Sequence, residues 1–298
     1  MNAETTFQTH RPRLLALAYR LLGSRADAED VVQDAWLRWA DADTAAINDP
    51  EAWLVTATTR LGLDRLRKAT RQRLDYVGPW LPEPLHVALE LPGEPAPDQI
   101  HSLAEDVSLA FLTLLEQLGP EERAAFLLKE VFDHDYREIA PLLGHSEASC
   151  RQLVHRAKQR LQAGRPRFNA DSGQHRQLLA RFMEASQRGD SEAIQALLHT
   201  NARLISDGGG VVTAAIRPLL GAERIGRLFW AIARRGAAQP AQLGNVNGEP
   251  AILRFDNGHL HSVTTVEIVD GRITTIYSVL NPNKLPASVT ANDAGASL

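Results

Sequence analysis

The segment YREIAPLLGHSEASCRQLVHRAKQRL, Tyr136 to Leu161, constrains this chain more than any other. It holds two short helical patterns on either side of Gly144. In the second, Cys150, Val154, Ala157 and Leu161 recur at steps of four, three and four, which gives one apolar face. Ser146 stands before that helix as an N-cap, its hydroxyl placed to accept from an amide of the first turn. The other faces carry Arg151, Gln152, His155, Arg156, Lys158 and Arg160, with no acid after Glu147. Two short helices over a glycine turn, the second basic, form a helix-turn-helix, whose second helix lies in the major groove of duplex DNA. Arg and Lys pair with phosphates, and Arg and Gln also reach base edges. A merely solvated basic helix is the plainer alternative, and the spacing of the preceding helix and turn weighs against it. Pro141 lacks a backbone donor and is expected to kink or loosen the first helix of the pair.

A length of 298 residues leaves room for two or three domains, and a hydrophobic fraction of 44% supports packed cores. The formal net charge of −4 hides segregated charge. Arg60, Arg65, Arg67, Lys68, Arg71 and Arg73 gather around one acid, Asp64, and a second basic run extends from Arg151 to Arg167. Local basic patches of this kind bind nucleic acid whatever the overall charge. An acidic group, Asp27, Glu29, Asp30 and Asp34, either meets a basic protein partner or solvates a helix. Cys150 is the only cysteine, which excludes an intramolecular disulfide and a thiolate zinc cluster. LLALAYRLL is broken by Arg20 and lacks the arrangement of a secretory leader, and no apolar run is long enough to span a bilayer. The chain therefore reads as cytoplasmic and soluble, with no metal or cofactor.

Three blocks follow along the chain. The first, residues 1–75, is helical: one helix ends at Gly23, a second begins near Asp27 with Val31, Val32, Ala35, Trp36 and Trp39, and a third begins at Pro50. Residues 76–105 form a linker holding Pro79, Pro82, Pro84, Pro92, Pro95 and Pro97, a composition that favours an extended, semi-rigid connector. Trp80 and Leu81 are expected to dock on a neighbouring domain, the alternative being an unattached spacer. Residues 106–165 make the second helical block, with a helix from Leu109 to Leu118, then Gly119 and Pro120, then the helix-turn-helix.

The third block, residues 175–285, opens with helices Leu178 to Arg188 and Ser191 to Leu198, and a further helix spans Ala222 to Arg235. Asn247-Gly248, Asn257-Gly258 and Asp270-Gly271 are hairpin signals, since type I′ turns need positive φ at both central residues. They delimit strands Gln242 to Asn247, Glu249 to Asp256, His259 to Val269 and Arg272 to Leu280. Helices over such a curved meander give an α+β cone. Residues 286–298 are expected to be disordered.

With these motifs in order, nearly the whole chain resembles a bacterial RNA polymerase sigma factor of the extracytoplasmic-function group. DAEDVVQDAWLRW resembles the sigma-domain-two helix that docks on core polymerase, TRLGLDRLRKATRQR the element that handles the minus-ten promoter region, and SEASCRQLVHRAKQ the recognition helix for the minus-thirty-five element. YVGPWLPEPL, DGGG at Asp207 to Gly210 and NPNKL at Asn281 to Leu285 are similar to the subgroup that ends in a SnoaL-like domain of the nuclear-transport-factor-type cone fold. Val211 stands where that subgroup often has lysine, and Asn283 where aspartate is usual. The fold class implied is two all-α sigma domains followed by an α+β cone. The resemblance implies core RNA polymerase and promoter DNA as partners. It assigns polymerase binding to Asp30, Gln33 and Asp34, and the minus-ten region to Arg60, Arg65, Arg67, Lys68 and Arg71. The minus-thirty-five element falls to Ser149, Arg151, Gln152, His155, Arg156 and Lys158. A regulatory interdomain contact falls to Asp207, Gly208, Gly209, Gly210, Asn281, Pro282 and Lys284.

Capture of an opened strand also needs aromatic platforms. Trp53 and Tyr76 are candidates, although the helical apolar spacing of Trp53 suits a core residue better. Cone folds of this type hold small apolar ligands, and some relatives are enzymes. Asp207, Asp256, His259 and His261 are the available acid-base groups, but no nucleophile-and-base constellation accompanies them, so the expectation is a regulatory and not a catalytic domain. The rival reading is a helix-turn-helix regulator with a ligand-sensing cone; it leaves the acidic helix and the first basic cluster without a task.

Overall fold

The structure, a computed structural model, describes residues 3–89, 107–164, 172–236 and 239–291. It divides into a helical unit (3–75, 107 and 111–164) and a second unit made of 76–89, 108–110 and the third block.

In the helical unit, α1 (Ala3–Leu22) ends at Gly23, which takes the left-handed φ of 65° that closes a helix without a Cβ penalty. Helix α2 (Arg25–Asp41) starts two residues earlier than the sequence suggests, because Ser24 supplies the cap, accepting from the Asp27 amide at 3.3 Å. Helix α3 (Pro50–Gln72) has Pro50 in its first turn and Asp49 as cap. The three pack through Leu14, Leu17, Leu21, Val31, Val32, Trp39, Leu54 and Leu66, all buried. Trp53 is half-buried, its ring tilted at 58° against buried Trp39 with centroids 5.4 Å apart, which suits the packing role its spacing suggests. After α4 (Leu109–Leu115), shorter than the expected run to Leu118, come α5 (Pro120–Glu130), α6 (Tyr136–Leu143) and α7 (Glu147–Gly164). The carbonyls left open at the end of α1 are taken up by arginines: Arg123 donates to Leu21 O at 2.9 Å and Arg73 to Leu22 O at 2.7 Å. Both arginines also pair with Glu116. Helix α6 continues unbroken through Pro141, which is exposed and lacks the backbone donor of an interior helical position.

The second unit contains α8 (Ser172–Arg188), α9 (Ser191–Leu197), α10 (Ala222–Arg234) and a seven-stranded sheet. Its strands are β1 (Val87–Leu89), β2 (Leu198–Asp207), β3 (Leu219–Leu220), β4 (Ala241–Val246), β5 (Glu249–Asp256), β6 (His259–Val269) and β7 (Arg272–Val279), in the spatial order β1-β4-β5-β6-β7-β2-β3. The meander β4 to β7 is the expected one, with Asn247, Asn257 and Asp270 at φ of 52°, 48° and 51° before glycines that are also positive. Strands β1, β2 and β3 were not anticipated. β2 pairs parallel with β7 and every other pairing is antiparallel. Register shifts at Arg254/Phe255 and Glu267/Ile268 bend the sheet. The helices cover its concave face through Leu179, Phe182, Ile194, Leu197, Ile225, Ile252, Val266 and Ile276.

The docking expected of Trp80 and Leu81 is seen within residues 76–89: Leu81 and Leu85 are buried, and β1 adds an edge strand to the cone beside β4, which excludes the unattached spacer for this stretch. Pro92, Pro95 and Pro97 lie outside the described residues. The start of the supposed disordered tail is also in place, since Thr290 bridges His259 and the Ala291 amide donates to Gly258 O at 3.0 Å; residues 292–298 lie outside the described residues.

Candidate nucleic-acid interface

The helix-turn-helix is assembled as its spacing implies. Cys150, Val154, Ala157 and Leu161 are buried, as is Leu153, and they turn the polar faces of α7 outward. Gly144 sits at φ 68°, and its amide and that of His145 both reach Ala140 O. Ser146 Oγ accepts from the Ser149 amide at 3.2 Å, fixing the start of α7. Burial, reinforced by Glu147, pushes the Cys150 thiol up, so it serves as a packing group.

Along α7, Arg151, Gln152, His155 and Arg156 are exposed. Arg151 stacks 5.0 Å over the Tyr136 ring and pairs with Glu147 at 3.1 Å. Gln152 and His155 make no side-chain hydrogen bond among the described residues, and Ser149 contributes its amide to the cap. The more C-terminal cations are braced by α5. Glu122 receives Arg156 at 3.4 Å and Arg160 at 2.6 Å, and Glu130 receives Lys158 at 2.7 Å. Glu122 also accepts from the Gly119 amide at 3.3 Å, so one carboxylate caps α5 and orients two arginines of α7.

The first basic cluster lies on the C-terminal half of α3, and its members differ in availability. Lys68 and Arg71 are exposed and make no ion pair among the described residues; Arg60 is exposed and reaches Pro141 O at 3.4 Å. Arg65 forks between Asp27 at 2.7 Å and Asp30 at 2.5 Å. Burial opposes its charge, but the two carboxylates outweigh it and the guanidinium pKa rises. Arg67 pairs with Glu121 at 2.8 Å and Asp64 at 3.1 Å; burial lifts Glu121, yet Arg67 more than offsets it and holds the carboxyl below its usual range. Residues that the sequence assigns to separate partners, Asp30 to protein and Arg65 to DNA, thus meet each other. Gln33 and Asp34 are exposed on α2, with Leu37 one turn on. An open pocket of about 290 Å³ between α2 and α3 is lined by Asp27, Arg65, Lys68, Ala69 and Gln72.

In the second unit, DGGG and NPNKL close on the linker. Asp207 ends β2 with no exposed surface. Its carboxylate accepts from Tyr76 Oη at 2.6 Å, the Leu81 amide at 2.8 Å and Lys284 Nζ at 2.7 Å. Lys284, also buried, donates to Leu81 O at 2.6 Å and lies 3.9 Å from the centroid of the Trp80 ring. Asn281 Nδ2 donates to Tyr76 Oη at 2.9 Å. Burial and Asp207 push the Tyr76 hydroxyl pKa up against the opposing Asn281, so the phenol stays protonated as a donor. The glycines are needed for close approach: a Cβ on Gly209 would run into Asn281, and one on Gly210 would press on Val77 at 3.1 Å. Gly208 O turns the loop by accepting from the Val211 and Val212 amides, and Pro282 opens the short 3-10 turn that carries Lys284. Further along, Asn247 Oδ1 accepts from the Leu85 and His86 amides at 2.9 and 3.1 Å. Hairpin chemistry alone does not reveal this second duty of Asn247.

The acid-base candidates do not converge. The Asp207 carboxylate is engaged by Tyr76, the Leu81 amide and Lys284, while Asp256 and His259 face each other across the β5–β6 hairpin. Among the described residues no group of three or more His, Cys, Asp or Glu is placed to hold a metal, and no helix is long and apolar enough to cross a membrane.

A helix-turn-helix with a braced basic helix, preceded by a three-helix domain with its own basic edge, defines a protein that grips DNA at two places. The comparisons identify the family. Residues 6–72 match Sigma-70 region 2 and residues 108–161 match Sigma-70 region 4. The ECF RNA polymerase sigma factor SigJ of Mycobacterium tuberculosis is 37% identical over 295 residues, covering 95% of this chain and 93% of that protein. The probable ECF RNA polymerase sigma factor SigI of the same species is 34% identical over 286 residues, covering 94% and 93%. The crystal structure of M. tuberculosis SigJ superposes with a TM-score of 0.74 at 32% identity, covering 94% of this chain and 97% of that one. The chain belongs to the extracytoplasmic-function family of RNA polymerase sigma factors. Its fold is that of the helical sigma domains followed by a C-terminal α+β domain.

Proposed function

We propose that this chain binds core RNA polymerase and directs promoter-specific transcription initiation in the cytoplasm, and that its C-terminal cone regulates this activity without catalysing a reaction. Gln33 and Asp34, exposed on α2, are the polymerase-facing groups, with Asp30 joining them when Arg65 releases it. Arg60, Lys68 and Arg71 follow the phosphates of the opened minus-ten region, with Arg65 and Arg67 recruited as their carboxylate partners yield to DNA. Gln152, His155 and Arg151 read bases of the minus-thirty-five element from the first turns of α7. Arg156 and Lys158 hold phosphate from positions set by Glu122 and Glu130.

The observation that carries the regulatory part is the clasp of Asp207, Lys284 and Asn281 on residues Tyr76 to Leu81. The clasped segment lies in the chain between the two DNA-gripping elements. Once released, residues 76–89 could span at most roughly 45 Å at ~3.3 Å per extended residue. An intact clasp therefore limits which promoter geometry the two elements can satisfy together.

Transcription with purified core polymerase tests both parts. The full chain directs initiation from a template of its own gene neighbourhood. Removal of the cone, and removal of only the segment after Leu280, change that output differently. If neither truncation differs from the full chain, the regulatory reading fails. If no version joins polymerase, the whole reading fails.

A further inference from the structure

Among the described residues of the cone, Arg254 is a half-buried cation that nothing above employs. It sits on β5 at the point where the β5–β6 register shifts, and such a bulge re-aims a side chain. Its Nη2 donates to Ser186 Oγ on α8 at 2.8 Å, and Ser186 in turn donates to Met183 O at 2.8 Å, which locks the hydroxyl as an acceptor for the arginine. Its Cζ lies 5.9 Å from the centroid of the Phe229 ring on α10. Among the described residues no carboxylate pairs with it. Its other guanidinium nitrogens are not sealed away, and the residue keeps part of its surface accessible. A guanidinium has five N–H donors, so most of these remain for a ligand.

Burial lowers the Arg254 pKa to about 10, still charged at neutral pH. A desolvated cation without an anion is a standing cost to the fold. Packing alone would be served better by methionine or leucine, since the neighbours include the Phe229 ring and Ala241, its cross-strand partner on β4. A fixed positive fork beside a partly accessible aromatic is instead the arrangement that receives a carboxylate on a hydrocarbon body.

We propose that the mouth of the cone between α8, α10 and β5 binds a small apolar carboxylic acid. Its carboxylate sits on the Arg254 guanidinium, which Ser186 positions, and its hydrocarbon part lies against Phe229. The proposal rests on the cone alone and stands or falls separately from the regulation of transcription.

Isothermal titration of the full chain with octanoate and with octanol tests it. Octanoate binds saturably, and octanol at least tenfold more weakly. In Arg254→Met the octanoate affinity falls at least tenfold to the level of octanol, while the melting temperature of the ligand-free chain rises as the unpaired charge is removed. Arg254→Lys, which keeps the charge but not the fork, binds octanoate with intermediate affinity. The wild-type comparison of acid with alcohol needs no variant, so a misfolded substitution leaves the test intact. Absence of saturable octanoate binding to the parent chain, equal affinity for octanoate and octanol, or unchanged octanoate affinity in a folded Arg254→Met chain would each overturn the proposal.

Discussion

Lys284→Met removes the cation from the clasp and nothing else of comparable volume. Asp207 is fully buried and the Lys284 side chain is 6% exposed, so solvent cannot replace the lost partner. The carboxylate keeps Tyr76 Oη and the Leu81 amide as donors but loses its only counter-charge, and Leu81 O loses its donor. Breaking one side of such a buried pair costs about 3–5 kcal/mol. The Leu81 amide donates directly to Asp207, so its hydrogen exchange reports local opening of the clasp. At about 1.4 kcal/mol per tenfold, its protection should fall by roughly two to three orders of magnitude. Amides at the centre of α1 serve as an internal control and stay unchanged. Asp207→Asn combined with Lys284→Met removes both charges, and its amide oxygen still accepts from Leu81. The double variant should therefore recover part of the loss, with a coupling of about 1–3 kcal/mol. A Leu81 protection factor within threefold of the parent in Lys284→Met, or a double variant worse than the sum of the two single changes, would refute the clasp as the element that holds the linker.

Glu249 is lifted to about 7 from 4.5, by burial first and by Glu267 second. A carboxyl raised in the fold gives its full contribution below the unfolded value and loses it as pH climbs through about 7. The denaturation midpoint of the second unit should therefore fall between pH 5 and 8, and Glu249→Gln should flatten that slope in urea titrations. Gly209→Ala combines a positive φ of 59° with a clash on Asn281, whereas Gly144→Ala has a φ of 68° and open space around it. The first should open the clasp by about 2–3 kcal/mol and the second cost about 1 kcal/mol, read by hydrogen exchange at Leu81 and at Cys150. Arg151→Ala should relax promoter selectivity, while Lys158→Ala should weaken binding to all sequences and reduce the salt slope by about 1, both measured by DNA binding across a salt series.

The elements legible from the sequence were those written in local chemistry. Three Asn-Gly or Asp-Gly turns marked the meander, and Ser146 with Gly144 marked the helix-turn-helix, because a turn or a cap is decided by residues within a few positions of each other. Strand β2 escaped, since it pairs in parallel with β7 some 70 residues away and its register breaks between Leu198 and Arg203. β1 escaped because prolines precede it and Asn247, far along the chain, is what captures its approach. The same division runs through the candidate site. Charge clusters showed where cations lie but not which are already spoken for: Arg65 and Arg67 look equivalent to Lys68 until Asp27, Asp30 and Glu121 are brought beside them. On the proposed roles, each such pair would couple an intramolecular bond to an intermolecular one. DNA binding at Arg65 would then release Asp30, the acid proposed to meet polymerase. Linkage makes that exchange reciprocal, so whatever engages Asp30 also frees Arg65 for phosphate. The acidic and basic surfaces of α2 and α3, given separate partners on the sequence alone, are joined in the folded chain through Arg65 and so, on the proposed roles, would respond to one another.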